Sequence, residues 1–598
     1  MMGLPVPQFG TGNYRRIFVR KRKVSYKMKK MIPVLVALVL IAVVFVVAFG
    51  GKISDKYSYG TEVADLDAYF GGGLAEGGAD GELAIVLQDE VLEDRAVVFE
   101  NHIYFELETV KEYLNDRFFL SEEEQLMLYT RAEDTLEVKF GERSFSDGDG
   151  VHETGYVICR QQGEKIYFAE EFLHDFADFS CERFEKHVQL YTEWGVRQTY
   201  EVSRDTQVRV KGGIKSPILK ELAKGEKVEF LEEMETWSRV KTSDSLIGYV
   251  ENKYLTNLSS ELEKPVTTRQ PEEIPSLQME GKVCLGWHSI GGVGGNDTLD
   301  AMLEEGQGLN VIAPTWFSLT DNEGNFRSFA SEQYVKRAHD KGLKVWGVWD
   351  NFNYRNETGS EVSTYQVLSS TEKRKALETA IINTSLELGL DGVNLDFEEL
   401  TADAGKYYVQ FIRELSVLTR ANNLILSVDN YMPNSGNTFY RLDVQGEFAD
   451  YVILMGYDEH WHGCKDPGSV ASIGFVTDGI EKALEKVPAQ KLVNALPFYT
   501  ILWKTEGTEV TDSYVTLNNM DDFLARMGKE PAWDEETCQY YAEWESGDAL
   551  YQIWIEDEAS LKTKLNVMGA HKLGGVAVWR LGYGTKGAWN LVKMFGDL

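Results

Sequence analysis

Residues 391–400 read Asp-Gly-Val-Asn-Leu-Asp-Phe-Glu-Glu-Leu, and the rest of the chain is organised around them. Taken as a β-strand, DGVNLDFEEL sends alternate side chains to opposite faces. Val393, Leu395 and Phe397 fall on one face; Asn394, Asp396 and Glu398 fall on the other. Two carboxylates and an amide in one row are costly on so apolar a strand unless they are paired or used in chemistry. Residues two apart on a strand sit about 6–7 Å apart at the backbone, so Asp396 can lean toward Glu398 and share a hydrogen bond. The charge on one raises the proton affinity of the other, which keeps one member of the pair protonated near neutral pH. A general acid beside an electrostatic stabiliser has this requirement. The competing reading is a strand end with solvated acids.

The surrounding sequence places the strand. From Gly281 onward, apolar runs bounded by turn residues recur at 283–290, 309–319, 344–351, 391–399, 424–433, 451–460, 491–500 and 574–583. Stretches of helical period separate them, such as TEKRKALETAIINTSLELGL and GKYYVQFIRELSVLTRAN. Eight strand–helix units predict a closed parallel (β/α)8 TIM barrel over 280–598, with its chemistry at the C-terminal strand ends. The acidic strand is the fourth, and Glu398 lies at its C-terminal end. The gap between strands seven and eight is long and mixes a helical stretch with short aromatic runs. It predicts an α+β insertion, about 501–557, of the kind that shapes access to a catalytic rim.

Asp391, Gly392, Asp396 and Glu398 resemble the D-G-x-D-x-D-x-E signature of family 18 glycoside hydrolases, the chitinase-like family, with Asn394 where that family often has a third aspartate. Met455-Gly456-Tyr457-Asp458, ending strand six, and Trp579, ending strand eight, resemble two further family positions. The resemblance implies a glycosidase acting on β-1,4-linked N-acetylglucosamine glycans. In it Glu398 protonates the leaving oxygen, and the substrate's own 2-acetamido carbonyl is the nucleophile, so configuration is retained. Asp396 orients the acetamide and stabilises the oxazolinium intermediate, and Tyr457 binds its oxygen. Asp391, Asn394, Met455, Asp458 and Trp579 complete the substrate-binding set, with Trp579 as the aromatic floor under the reacting sugar. No metal or organic cofactor is implied. Asn394 departs from the pattern: an amide can hydrogen-bond Asp396 but cannot share a proton with it. Trp287, His288, Trp316, Asn351, Asn494 and Tyr499 also lie near strand ends and could line subsites. A non-catalytic, lectin-like glycan-binding protein on the same barrel is the rival; such relatives usually lose the glutamate.

The N-terminal half supplies context. Net charge is −34 over 598 residues, yet the first 30 hold nine Lys/Arg and no acid. The acidic body argues against nucleic acid as a partner. Residues 31–50, MIPVLVALVLIAVVFVVAFG, are uncharged over about the length needed to cross a bilayer. With the basic tail (1–30) before them, they predict a single-pass signal anchor with a cytoplasmic N-terminus and the remaining domains outside. Residues 51–80 are Gly-rich and read as a flexible tether.

An internal repeat starts at Ile103-Tyr104-Phe105 and again at Ile166-Tyr167-Phe168, each with the order strand, helix, strand. Residues 81–203 look like the α/β repeat domain called copper amine oxidase N-terminal-like, without a ligand set for copper. Residues 204–257 are similar to a bacterial SH3 domain on Val208, Gly225, Trp237, Val240, Gly248, Tyr249, Val250 and Tyr254, which implies a cell-wall peptide or glycan partner. Residues 258–279, with Pro265, Pro271 and Pro275, read as a semi-rigid linker. Cys159, Cys181, Cys284, Cys464 and Cys538 show neither zinc spacing nor a disulfide framework. A wall-binding module beside a membrane anchor favours peptidoglycan as substrate, in the manner of spore-germination cortex-lytic enzymes, with chitin second.

Overall fold

The computed structural model describes residues 35–48, 56, 58–76, 79–264, 272–304 and 306–597. The chain forms two compact units: Met1–Asn101 with Phe179–Val266, and His102–Asp178 with Thr267–Leu598.

The second unit contains the barrel. Its strands are β1 (Val283–His288), β2 (Val311–Leu319), β3 (Lys344–Asp350), β4 (Gly392–Asp396), β5 (Ile425–Tyr431), β6 (Tyr451–Met455), β7 (Leu492–Pro497) and β8 (Gly575–Trp579). Neighbours pair in parallel all the way round, and β8 closes on β1. These strands are near-continuous apolar runs because helices or the barrel interior bury both faces. Gly392, which opens β4, sits so close to its neighbours that a Cβ would meet the Ile425 carbonyl at 2.7 Å and the Trp346 ring at 2.7 Å. The insertion is a five-stranded antiparallel sheet that begins at Tyr499, two residues before the expected boundary, with a helix at Met520–Met527.

Two helices of the outer layer are α1 (Thr371–Leu388), which leads into β4, and α2 (Ala402–Ala421), which leads out of it. A helix outside a barrel ordinarily shows water a polar face. On α2, Tyr407, Gln410 and Arg413 are buried, because residues 102–178 cover that face. Phe119, Leu126 and Leu128 join the apolar cluster of the barrel's outer helices. Glu124 accepts from the Thr371 backbone N–H at 2.8 Å, at the start of α1. Gln410 donates to Thr130 Oγ1 at 3.1 Å, and Arg413 donates to the Arg117 carbonyl at 3.1 Å. Within this segment the two IYF triplets lie against each other, Phe105 opposite Phe168, in an antiparallel pair. The end of the expected linker is also packed: Asp450 accepts from Leu277 N at 2.6 Å, and Tyr451 Oη accepts from Met279 N at 2.8 Å.

The first unit holds the small barrel expected over 204–257. Its strands run at Thr206–Arg209, Ile218–Leu222, Lys227–Glu233, Trp237–Lys241 and Ile247–Glu251, extended by Val196–Val202 and Leu255–Leu262. Trp237 is half-exposed. The expected tether over 51–80 is corrected from residue 59 on. Ala64 N donates to the Ile218 carbonyl at 2.7 Å, Ile218 N donates to the Glu62 carbonyl at 2.8 Å, and Phe70 and Leu74 are buried. Two apolar anchors outweigh the glycines around them.

Residues 35–48 are helical with exposed side chains. A helix of that length rises about 21 Å against roughly 30 Å of hydrocarbon. Among the described residues no helix is long and apolar enough to cross a membrane. The remainder of the span expected at 31–50 lies outside the described residues, as does the basic tail.

Candidate active site

A cleft of about 980 Å³ opens at the C-terminal ends of the strands. Asp396, Glu398, Met455, Tyr457, Asp458 and Trp579 all line it. The strands on either side of β4 hold the acid. Asn351, just after β3, clamps the Glu398 backbone from both sides: its Oδ1 accepts from Glu398 N at 2.9 Å and its Nδ2 donates to the Glu398 carbonyl at 2.8 Å. Tyr431, which ends β5, donates its hydroxyl to Glu398 Oε2 at 2.7 Å. Burial pushes the Glu398 carboxyl up to about 7, against the pull of the Tyr431 hydroxyl; the charges of Asp458, Glu399 and Asp350 add to the rise. At neutral pH this group is poised to give or take a proton.

Asp396 ends β4 at the cleft floor. Burial, with the charges of Glu398, Asp429 and Asp350, lifts its carboxyl well above the ordinary carboxylate range. Its Oδ1 is buried with no hydrogen-bond partner among the described residues. Asn394 lies one turn of the pleat deeper and is fully buried. Its Oδ1 accepts from Trp287 Nε1 at 2.9 Å, and its Nδ2 donates to Asp429 Oδ1 at 2.8 Å and to Ser427 Oγ at 3.0 Å. Both of its donors are spent on β5, so the expected bond from Asn394 to Asp396 does not form.

Tyr457 and Asp458 turn into the cleft after β6. Gly456 allows this, since a Cβ there would meet the Ala495 carbonyl at 2.5 Å and Asn494 at 2.6 Å. Asp458 takes a left-handed backbone, φ 60°, and accepts from the Tyr499 hydroxyl at 2.5 Å. The insertion thus steadies the rim it grows from. Asp512 on the insertion also accepts from Gly463 N at 2.9 Å, fixing the loop that carries Trp461 into the cleft. Trp579 stands 6.0 Å from Trp287, ring centre to ring centre, at 58°.

Asp391 is not brought to the cleft. It sits at the opposite end of β4, where it accepts from Lys344 Nζ at 2.8 Å, from Val345 N at 2.9 Å and pairs with His339 Nε2 at 2.7 Å. A strand of five residues separates its two ends: Asp391 anchors β4 to β3 at the bottom, and Asp396 lines the cleft at the top. Trp287 and Trp316 line the cleft. His288 is buried between Tyr334 Oη at 2.8 Å and Thr298 Oγ1 at 3.0 Å, and burial pushes it down to about 4. Asn494 is buried behind Gly456.

Sequence reasoning missed Asp350, Asp429, Tyr431 and Trp461. The first three could have been found by extending the alternation rule to strands three and five, where an acid interrupts VWGVWD and another interrupts ILSVDNY.

Residues 314–584 match the family described as Glycosyl hydrolases family 18, and residues 204–256 match Bacterial SH3 domain. The barrel is a family 18 glycosyl hydrolase domain. The chain is similar to the uncharacterized glycosylase YvbX of Bacillus subtilis, 23% identical over 48% of this chain and 84% of that protein. It is similar to the cortical fragment-lytic enzyme of Bacillus anthracis, 23% identical over 40% of this chain. The chain spans 57% of the length of that relative. Among solved structures it resembles the Bacillus cereus spore cortex-lytic enzyme SleL, at 18% identity and a TM-score of 0.47, over 55% of this chain and 78% of that one. The family 18 domain makes this chain a glycosidase by homology, and Asp396 and Glu398 sit where (β/α)8 enzymes carry out their chemistry.

Proposed function

We propose that this chain hydrolyses β-1,4-linked N-acetylglucosamine glycans at the outer cell surface, with peptidoglycan as the substrate. The observation that carries the reading is the convergence of Glu398, Asp396, Tyr457 and Trp579, from three strand ends, on one cleft, with Glu398 held near neutrality. A protonated Glu398 donates to the glycosidic oxygen as that bond breaks. The 2-acetamido carbonyl of the sugar attacks the anomeric carbon from the other face. Asp396 accepts the acetamide N–H and opposes the positive charge that develops; the Tyr457 hydroxyl donates to the acetamide oxygen. Glu398, now a carboxylate, takes a proton from water as it opens the oxazolinium ring, and the anomeric configuration is retained. Trp579 stacks under the apolar face of the pyranose.

Peptidoglycan is favoured over chitin by the bacterial SH3 match, by the cortex-lytic name of a relative, and by an N-terminal sequence suited to anchoring. In this reading residues 31–50 hold the protein in the cell membrane with the N-terminus inside, and the SH3-like barrel contacts wall. The test is release of soluble muropeptides from purified peptidoglycan, and of short oligomers from chitin, by the purified chain and by Glu398→Gln. Muropeptides from the wild type alone support the proposal. Cleavage of chitin alone moves the substrate. Binding to either polymer without cleavage by the wild type makes the protein a glycan reader.

A further inference from the structure

Asn394 removes a carboxylate from β4, and the structure carries one on the next strand. The last registered pairs of β4 and β5 are Asn394 with Ser427 and Leu395 with Val428. Asp396, which ends β4, and Asp429, inside β5, each come directly after that last pair, so they sit on neighbouring parallel strands about 5 Å apart. They share a face: Asn394, two before Asp396, donates to both Ser427 and Asp429. Asp429 is 2% exposed yet reaches the cleft wall. Its known donor is the neutral Asn394 amide, and no lysine or arginine is hydrogen-bonded to it among the described residues. Around it stand Asp396 at the end of β4, Glu398 just after it, Tyr457 just after β6 and Tyr408 from α2; Asp350 of β3 faces Asp396. A buried carboxylate among acids and phenols cannot keep its charge beside a second charged carboxylate.

We propose that Asp429 is the partner with which Asp396 shares one proton, so that Asn394 and Asp429 together do the work of an aspartate at position 394. The proposal rests on the glycosidase reading above. When no positive charge is present, the proton resides on Asp396. As charge develops on the acetamide, the O–H bond on Asp396 breaks and one forms on Asp429: Asp396–COOH and Asp429–COO⁻ become Asp396–COO⁻ and Asp429–COOH. No proton or electron leaves the pair. Asp429 does not touch the sugar; it acts through Asp396, as a positioning residue for its charge.

The polar surroundings permit an exchange test. In Asn394→Asp/Asp429→Asn, the new carboxylate at 394 still accepts from Trp287, the amide at 429 donates back to it, and the Ser427 hydroxyl turns to donate. The partners of residues 394 and 429 are kept, the Ser427 hydroxyl gives up only its 3.3 Å bond to the Val393 carbonyl, and the carboxylate changes strands. If Asp429 served only to accept the Asn394 N–H, the amide oxygen of Asp429→Asn would do so equally well. The proposal expects Asp429→Asn to lose roughly tenfold or more in kcat, the scale of a lost acid–base element, with KM changed less than about threefold. The double variant is expected to regain most of that loss, with the wild-type pH profile of kcat. Near-wild-type activity in folded Asp429→Asn overturns the proposal, and so does a folded double variant no better than the single. Melting temperatures of the four proteins read the pair without substrate. Asn394→Asp, with three acids crowded together, melts lower, and the second substitution cancels that loss; additive shifts also overturn the proposal. Inactivity of the wild type, indistinguishable from Glu398→Gln, refutes the glycosidase reading, and the melting cycle still judges the pair.

Discussion

Replacing Tyr431 by phenylalanine removes one hydroxyl from the site and leaves the ring. That hydroxyl donates to Glu398 Oε2 at 2.7 Å, a bond that favours the carboxylate over the acid. It lowers the proton affinity of Glu398, while burial and three neighbouring acids raise it to about 7. A hydrogen bond to a charged group is worth about 1.5–3 kcal/mol, and one pKa unit corresponds to about 1.4 kcal/mol. Full loss would lift the acid by about one to two units. Glu398 is half-buried, so water in the cleft restores part of the loss and about one unit is expected. The general acid then stays protonated to higher pH. The basic limb of kcat/KM therefore moves up by about one unit in Tyr431→Phe, measured on a soluble N-acetylglucosamine oligomer. At low pH the rate changes less, because the acid is protonated in both proteins. A basic limb at the wild-type pH, in a variant with the wild-type melting temperature, would refute the assignment of Glu398 as an acid tuned by Tyr431.

Glu398→Gln is expected to stabilise the fold as pH rises. The folded carboxyl titrates near 7 and the unfolded one near 4.3. Below the unfolded value both states are protonated and the side chain costs nothing; through the window up to 7 the unfolded state gains by ionising first. The variant gains about 3–4 kcal/mol over wild type at pH 8 and almost nothing at pH 4, read by chemical denaturation at both. Trp579→Ala should cost roughly tenfold or more in kcat/KM through the lost stacking surface, with the melting temperature as control. Tyr499→Phe frees Asp458, whose Oδ1 it holds at 2.5 Å; KM is expected to rise with kcat little changed if the aspartate binds substrate. Arg117 pairs with Glu272 at 2.9 Å and with Glu447. Arg117→Ala should lower stability by about 1–2 kcal/mol, measured by denaturant midpoint, without changing kcat/KM.

The barrel was legible because its strands are apolar on both faces and its helices carry their own period; eight of each leave few alternatives. The SH3-like barrel was legible from Gly and aromatic spacing. The packing of residues 102–178 was not. Its signal is distributed: Glu124 at the head of α1, Gln410 and Arg413 on α2, and Arg117 look like ordinary surface polar residues until the two segments meet. The same holds for residues 59–76. Their glycines suggest slack chain, and only Phe70 and Leu74, each buried, betray a packed strap. Local composition reports how freely a chain bends and says little about where two of its side chains are anchored.

In the site, the residues on β4 were readable because period two separates a polar row from an apolar one. What could not be read was the lateral dimension, since strand register lies outside any single stretch of sequence. Asp391 shows the consequence at one end: five residues of extended chain carry it away from the cleft to Lys344 and His339, although it belongs to the same motif as Asp396. Asn394 shows it at the other. Considered within its own strand, the amide is a missing aspartate. Considered across the sheet, it is a neutral link whose two donors reach β5 and leave Asp429 beside Asp396. A buried site needs a certain number of protons and charges within a few ångströms; it does not need them on a particular strand. A substitution that looks disabling along the chain can therefore be balanced by a carboxylate 35 residues later, provided the barrel register sets the two side by side.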